Sequence, residues 1–102
     1  MDMTHFSERY FVSYSGVKLP LKLVNELHDS DRDNRNTFFV GIFDHNERLI
    51  RCEKRVYGEI ELLHNYQYHD NGHLRTAEIT DADGEITVLR YDDQGKLLGG
   101  AD

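Results

Sequence analysis

The chain of 102 residues has no tryptophan, one cysteine, one proline and no long apolar run. With Cys52 alone, an intrachain disulfide and a cysteine-built zinc site are both excluded. No apolar stretch approaches the roughly 20 residues that a membrane-spanning helix requires. The start, Met1-Asp2-Met3-Thr4-His5, lacks the basic end and apolar centre of a signal peptide. The expected setting is therefore cytoplasmic, with no membrane partner. Basic charge is scarce too, and unevenly so. Residues 1–51 hold eight acids and seven bases, whereas residues 52–102 hold eleven acids and five bases. A phosphate backbone would be repelled by the second half, which argues against nucleic acid as the partner and favours a basic protein surface. No Gly-Xaa-Ser-Xaa-Gly elbow and no phosphate-binding loop occur, so nothing marks a nucleophile and no cofactor is called for.

What is present is a β pattern. Arg9–Tyr14 is aromatic and β-branched, and Ser15-Gly16 supplies a turn. Val17–Val24 alternates, with Val17, Leu19, Leu21 and Leu23 on one face and Lys18 and Lys22 on the other. Pro20 cannot donate to a ladder, so this strand is expected at an edge or bulged. Asp29–Asn36 is a polar loop, and Thr37–Asp44 is apolar on both faces, as in a strand covered on both sides. Arg48–Val56 carries Arg48, Arg51, Lys54 and Arg55, with Glu53 among them, which reads as a charge ladder. Cys52 packs in the core. Tyr57-Gly58 is either a two-residue turn or a glycine bulge.

The last third repeats one phrase. Tyr68-His69-Asp70-Asn71-Gly72-His73-Leu74 returns after 23 residues as Tyr91-Asp92-Asp93-Gln94-Gly95-Lys96-Leu97, with Asp81-Ala82-Asp83-Gly84 between. A polar turn closed by glycine between strand residues is a three-residue hairpin loop with glycine left-handed. His45-Asn46-Glu47 occupies the same place without glycine, and Asn46 is expected to take the left-handed conformation. This register sets His69 against His73, Tyr68 against Leu74, Tyr66 against Thr76 and His64 against Glu78. It also gathers Leu63, Ala77, Ile79, Leu89 and Tyr91 on one face. The expected fold is all-β, one domain over 1–102 with tails frayed at 1–8 and 99–102. It is an antiparallel up-and-down meander of about eight short strands, forming a strongly curved sheet or small open barrel.

Three constellations could carry chemistry. Asp29, Asp31 and Asp33 copy the opening of a calcium loop, but Asn34 stands at its sixth position and Val40 at its twelfth, where a bidentate Glu belongs. His69 and His73, paired across a turn with Asp70 nearby, offer two metal ligands, short of the three or four a tight site needs. His64 opposite Glu78, beside Tyr66, reads either as an acid–base group or as a structural pair. The six tyrosines suit an interface, since each buries area and keeps a polar tip.

Through Tyr68-(x)3-Gly72-x-Leu74 and Tyr91-Asp92-(x)2-Gly95-x-Leu97, the segment resembles the tyrosine-aspartate repeats of Rhs-type proteins and is similar to MORN-like hairpin repeats. Both resemblances imply hairpins laid side by side. Through Arg9–Leu21 and Val56–Leu62, the whole chain resembles a small uncharacterised proteobacterial domain family, which implies a stand-alone bacterial protein and no particular activity. The leading functional expectation is a small binding or regulatory protein. It docks a protein partner with a tyrosine-bearing sheet face (Tyr57, His64, Tyr66, Tyr68, Tyr91) and its acidic half. A strand edge near Pro20 or at Leu97 is available for pairing with that partner or with a second copy. The alternative is a small-ligand or metal site in a concave pocket built on His64, Tyr66 and Tyr68.

Overall fold

The structure, a computed structural model, describes residues 6–33 and 35–98, and the side chain of Asp29 lies outside this description. Seven strands form one antiparallel sheet: β1 (Ser7–Ser15), β2 (Lys22–Glu26), β3 (Thr37–Phe43), β4 (Leu49–Val56), β5 (Glu59–Tyr68), β6 (Leu74–Thr80) and β7 (Ile86–Arg90). Their order is β2-β1-β3-β4-β5-β6-β7, a meander from β3 onward that does not close into a barrel. The one helical element described, α1 (Asp29–Arg32), is a single turn. In place of an eighth strand there is one isolated bridge, Tyr91 to Leu97. Most of the tails expected to fray lie outside the described residues, but Ser7 and Glu8 are already paired with Phe43 and Ile42.

Four hairpin turns share one geometry. In each, the first residue's N–H donates to the carbonyl four residues on, and the fourth residue's N–H donates back to the first carbonyl. The pairs are Asp44/Arg48, His69/His73, Asp81/Glu85 and Asp92/Lys96. The fourth position is left-handed in all four: Glu47 at φ 63°, then Gly72, Gly84 and Gly95 at 95°, 85° and 86°. In three of them an aspartate locks the turn. Oδ1 of Asp44, Asp81 and Asp92 each accepts the amides two and four residues on. The left-handed residue of the first turn is therefore Glu47 and not Asn46, because the ladder dictates the position and Asn46 falls one step early. Tyr57-Gly58 is a two-residue turn between the paired Val56 and Glu59, with both φ angles positive (51° and 82°).

The β5–β6 register holds at Tyr68–Leu74 and then shifts. A bulge places Tyr66 opposite Ala77 and His64 opposite Ile79, while Glu78 pairs with Asn65 on the other face. Thr76 is therefore not the partner of Tyr66, and Glu78 is not that of His64. The expected Ala77–Leu89 and Ile79–Thr87 pairs are present. Tyr66 joins them on one face, whereas Leu63, paired with Glu53, lies on the other.

The main departure concerns Val17–Val24. β1 belongs to two ladders: Ser7–Phe11 pairs with β3, while Phe11–Ser15 pairs with β2. Only Lys22–Glu26 is a strand, and Gly16–Leu21 is an unpaired connection. This arm folds over one face of the sheet. Its Leu21 belongs to the core with Phe11, Phe39, Leu49, Cys52, Tyr66, Leu74 and Ala77, and Leu19 and Leu23 pack against them. Gly41 makes the close approach possible: a Cβ there would sit 2.7 Å from Leu23 Cδ1. Pro20 therefore lies in the arm and not in an edge strand.

Candidate functional site

The arm is tied down by one hydrogen-bond relay. The Leu21 N–H donates to Tyr66 Oη at 3.2 Å, and Tyr66 Oη lies 2.6 Å from His64 Nδ1. A phenol has one proton to give. Nδ1 is the one acceptor bonded to this oxygen among the described residues, so that proton goes to Nδ1, which places the imidazole proton on Nε2. Burial holds His64 below its ordinary value and pushes the Tyr66 phenol up. Both stay neutral, and the relay is structural. Cys52 pairs with His64 across the ladder, and burial, aided by the charge of Glu53, pushes its thiol up to about 12.

Beyond the relay, the arm and the two hairpin turns of the repeated phrase, His69–His73 and Asp92–Lys96, enclose an open cleft of about 610 Å³. Val17, Lys18, Leu19 and Pro20 form one wall. Tyr68, Leu74, Leu89 and Tyr91 line the base, and Gly72, His73, Gln94 and Gly95 form the other wall. The repeated phrase supplies that second wall, because its two copies pack together. Asn71 Nδ2 donates to Asp93 O at 2.7 Å, and His69 Nε2 is 2.9 Å from Tyr91 O. The His73 ring lies against Gly95, where a Cβ would meet Nδ1 at 3.2 Å. Tyr68 Oη donates to Leu49 O at 2.5 Å, the Arg48 guanidinium covers its ring, and burial pushes its phenol up to about 12.

The side chains singled out in the sequence are thus divided. Tyr68 and Tyr91 line the cleft with His73. His64 and Tyr66 lie beneath the arm, away from it. Tyr57 stands at the β4–β5 turn, 75% exposed, bonded to Asn36 through both its N–H and its Oη. His69 is turned toward Tyr91 O. Asp31 lies in α1 and Asp33 caps it. Among the described residues, no three His, Cys, Asp or Glu side chains converge as a metal site, and the side chain of Asp29 falls outside them. Lys18, Pro20, Leu89 and Gln94 were not legible as site residues, since nothing local ties the arm to hairpins 50 residues or more away.

The opposite face carries an ion cluster. Glu53 is 6% exposed, and its two oxygens are held by Arg51 Nε at 2.9 Å and Arg55 Nε at 2.8 Å. Burial acts to raise its pKa, but the two guanidinium bonds outweigh it and hold the carboxyl below its ordinary value. The charge ladder expected across strands is thus a clamp within β4. Tyr10 packs on Phe38 and beneath the Arg32 guanidinium, which is 4.1 Å from its ring centre.

The sheet ends in two edges. β2 is kinked by Asn25 at φ 62°. On β7 the Leu98 N–H reaches Arg90 O, and among the described residues nothing pairs with the outer side of Ile86–Leu89. Ile86 is 60% exposed, and from Asp81 to Asp93 five carboxylates stand against Arg90 alone. No helix of the described residues is long and apolar enough to cross a membrane.

An open antiparallel meander with an arm latched over one face, a cleft at the arm's tip and an acidic outermost strand defines a small β-sheet domain. The chain belongs to the family of unknown function DUF6156, which it matches over residues 3–100. No curated protein and no solved structure is similar to it.

Proposed function

We propose that the protein is a small bacterial cytoplasmic binding module that docks a basic, extended segment of a protein partner along β7. The outer side of Ile86–Leu89, with which no described residue pairs, carries this reading. A bare edge is a template for strand addition, and Ile86, Thr87 and Val88 are β-branched residues suited to it. Neither lysine nor proline blunts this stretch. Its carboxylate surroundings select a basic partner and oppose a second copy. An antiparallel β7–β7 pair would bring the Asp81–Glu85 turn of one molecule toward Asp92 and Asp93 of the other. The exposed Tyr57 adds a separate contact point at the β4–β5 turn. Its left-handed backbone is a conformation that Asn or Gly adopts more readily.

The test is an NMR titration of the labelled protein with a capped peptide alternating Lys and Val. Amide shifts along Ile86–Leu89 are expected, weakening with salt and with Asp83→Lys combined with Glu85→Lys in their exposed turn. An equal response to a capped peptide alternating Glu and Val, shifts confined to other strands, or self-association in place of peptide binding would overturn the proposal.

A further inference from the structure

The cleft stands out electrostatically from the rest of the molecule. The chain carries 19 acidic and 12 basic side chains, and its second half is the more acidic. Yet no Asp or Glu lines the cleft, and Lys18 and His73 do. The side chains of Lys18, His73 and Gln94 make no hydrogen bond or ion pair with any other described residue, so their donors are available to a ligand. The base, by contrast, is apolar: Leu74 is 8% exposed, and Leu89 and the rings of Tyr68 and Tyr91 surround it. Its volume of about 610 Å³ falls within the ~300–1,000 Å³ usual for small-molecule sites.

We infer that this cleft is a binding site for a small monocarboxylic acid with an aromatic or aliphatic body. The apolar body lies on Leu74 and Leu89, and the carboxylate meets the Lys18 ammonium and the hydrogen-bond donors of the facing wall. One ammonium matches a single negative charge. A basic ligand would lose this match and find no carboxylate in the lining to replace it. The repeated phrase acquires a role here, since His73 of its first copy rests on Gly95 of its second, which orients the imidazole over the cleft. This site is distinct from the β7 docking surface: Leu89 alone is common to both, and a different probe reads the cleft, at Gly72, His73, Gln94 and Gly95.

The experiment is an NMR titration of the full chain with 3-phenylpropionate, set beside its neutral amide and 3-phenylpropylamine. Saturable amide shifts at Gly72, His73, Gln94 and Gly95 are expected with the acid, with affinity about tenfold or more below it for the amine. Lys18→Glu, at an exposed position in the arm, should lower affinity for the acid by a similar factor and leave the folded spectrum intact. Equal affinity for the amine, no saturable shift at millimolar acid, or an unchanged affinity in Lys18→Glu would overturn the assignment. Tighter binding of a peptide ending in a free phenylalanine carboxylate would transfer the site from free acids to chain ends, and so would also overturn it.

Discussion

Tyr66→Phe removes one oxygen from the core and orphans two groups at once. The Leu21 N–H loses its acceptor, and His64 Nδ1 loses its donor. Leu21 and His64 are 9% and 5% exposed, so neither regains a water partner without the arm moving. A buried polar group left unsatisfied costs about 1–3 kcal/mol. Partial relaxation of the arm reduces the combined loss to about 2–4 kcal/mol, a large share of the ~5–15 kcal/mol that stabilises a typical domain. Because the chain has no tryptophan, urea unfolding should be followed by far-ultraviolet circular dichroism. The same substitution in a His64→Leu background should cost about 1 kcal/mol less, since the orphaned imidazole nitrogen is already gone. Hydrogen exchange at the Leu21 amide should accelerate more than exchange in β3–β5. A stability loss below about 0.5 kcal/mol, with Leu21 still protected, would refute the relay as the fastening of the arm.

Glu47→Gly should raise stability by about 0.5–1 kcal/mol, because relief of a left-handed side chain exceeds the added unfolded-state entropy and a weak exposed ion pair with Arg9. Asn46→Gly should give no such gain, and thermal melts of the two variants decide between the positions. Stability should also fall in two stages as pH drops. His64 is held below its ordinary 6.5, so the unfolded chain binds that proton first and stability declines from about pH 6.5 down to the folded value. Glu53 and Asp44 are held below their ordinary 4.5 and 3.8. Their contribution is complete above those values and is lost as pH falls through the depressed folded ones. His64→Gln, whose side-chain oxygen can still accept from Tyr66, should abolish the upper stage alone in urea titrations across pH.

The parts of the fold written in local chemistry were legible. Four hairpin turns are each specified within five residues, three by a left-handed glycine and three by an aspartate whose oxygen reaches two amides, and their places followed from the sequence, although the left-handed residue of the first turn is Glu47 and not Asn46. The bulge beyond Tyr68 was not legible, because it depends on how β6 meets its neighbours: the Arg75 carbonyl accepts the Tyr91 N–H. One extra residue there moved Glu78 to the other face and separated it from His64. The arm was hidden for a different reason. Leu19, Leu21 and Leu23 do face the core while Lys18 and Lys22 remain exposed, but Val17, read onto the same face, is 95% exposed, so the alternation held from Leu19 onward and its cause was misread. A segment crossing a sheet face alternates like a strand without pairing as one. Of the site, Tyr68, Tyr91 and His73 were visible as residue types. The cleft that unites them with Lys18 exists only once the arm has folded over.

That folding-over imposes an order of assembly. From β3 onward, each ladder joins strands adjacent in the chain, and such short-range closures are entropically the least costly. The Leu21–Tyr66 contact instead bridges 45 positions and has no landing place until β5 stands beside its neighbours. The base and far wall of the cleft are thus products of zippering, whereas the near wall arrives as a separate closure onto a finished surface.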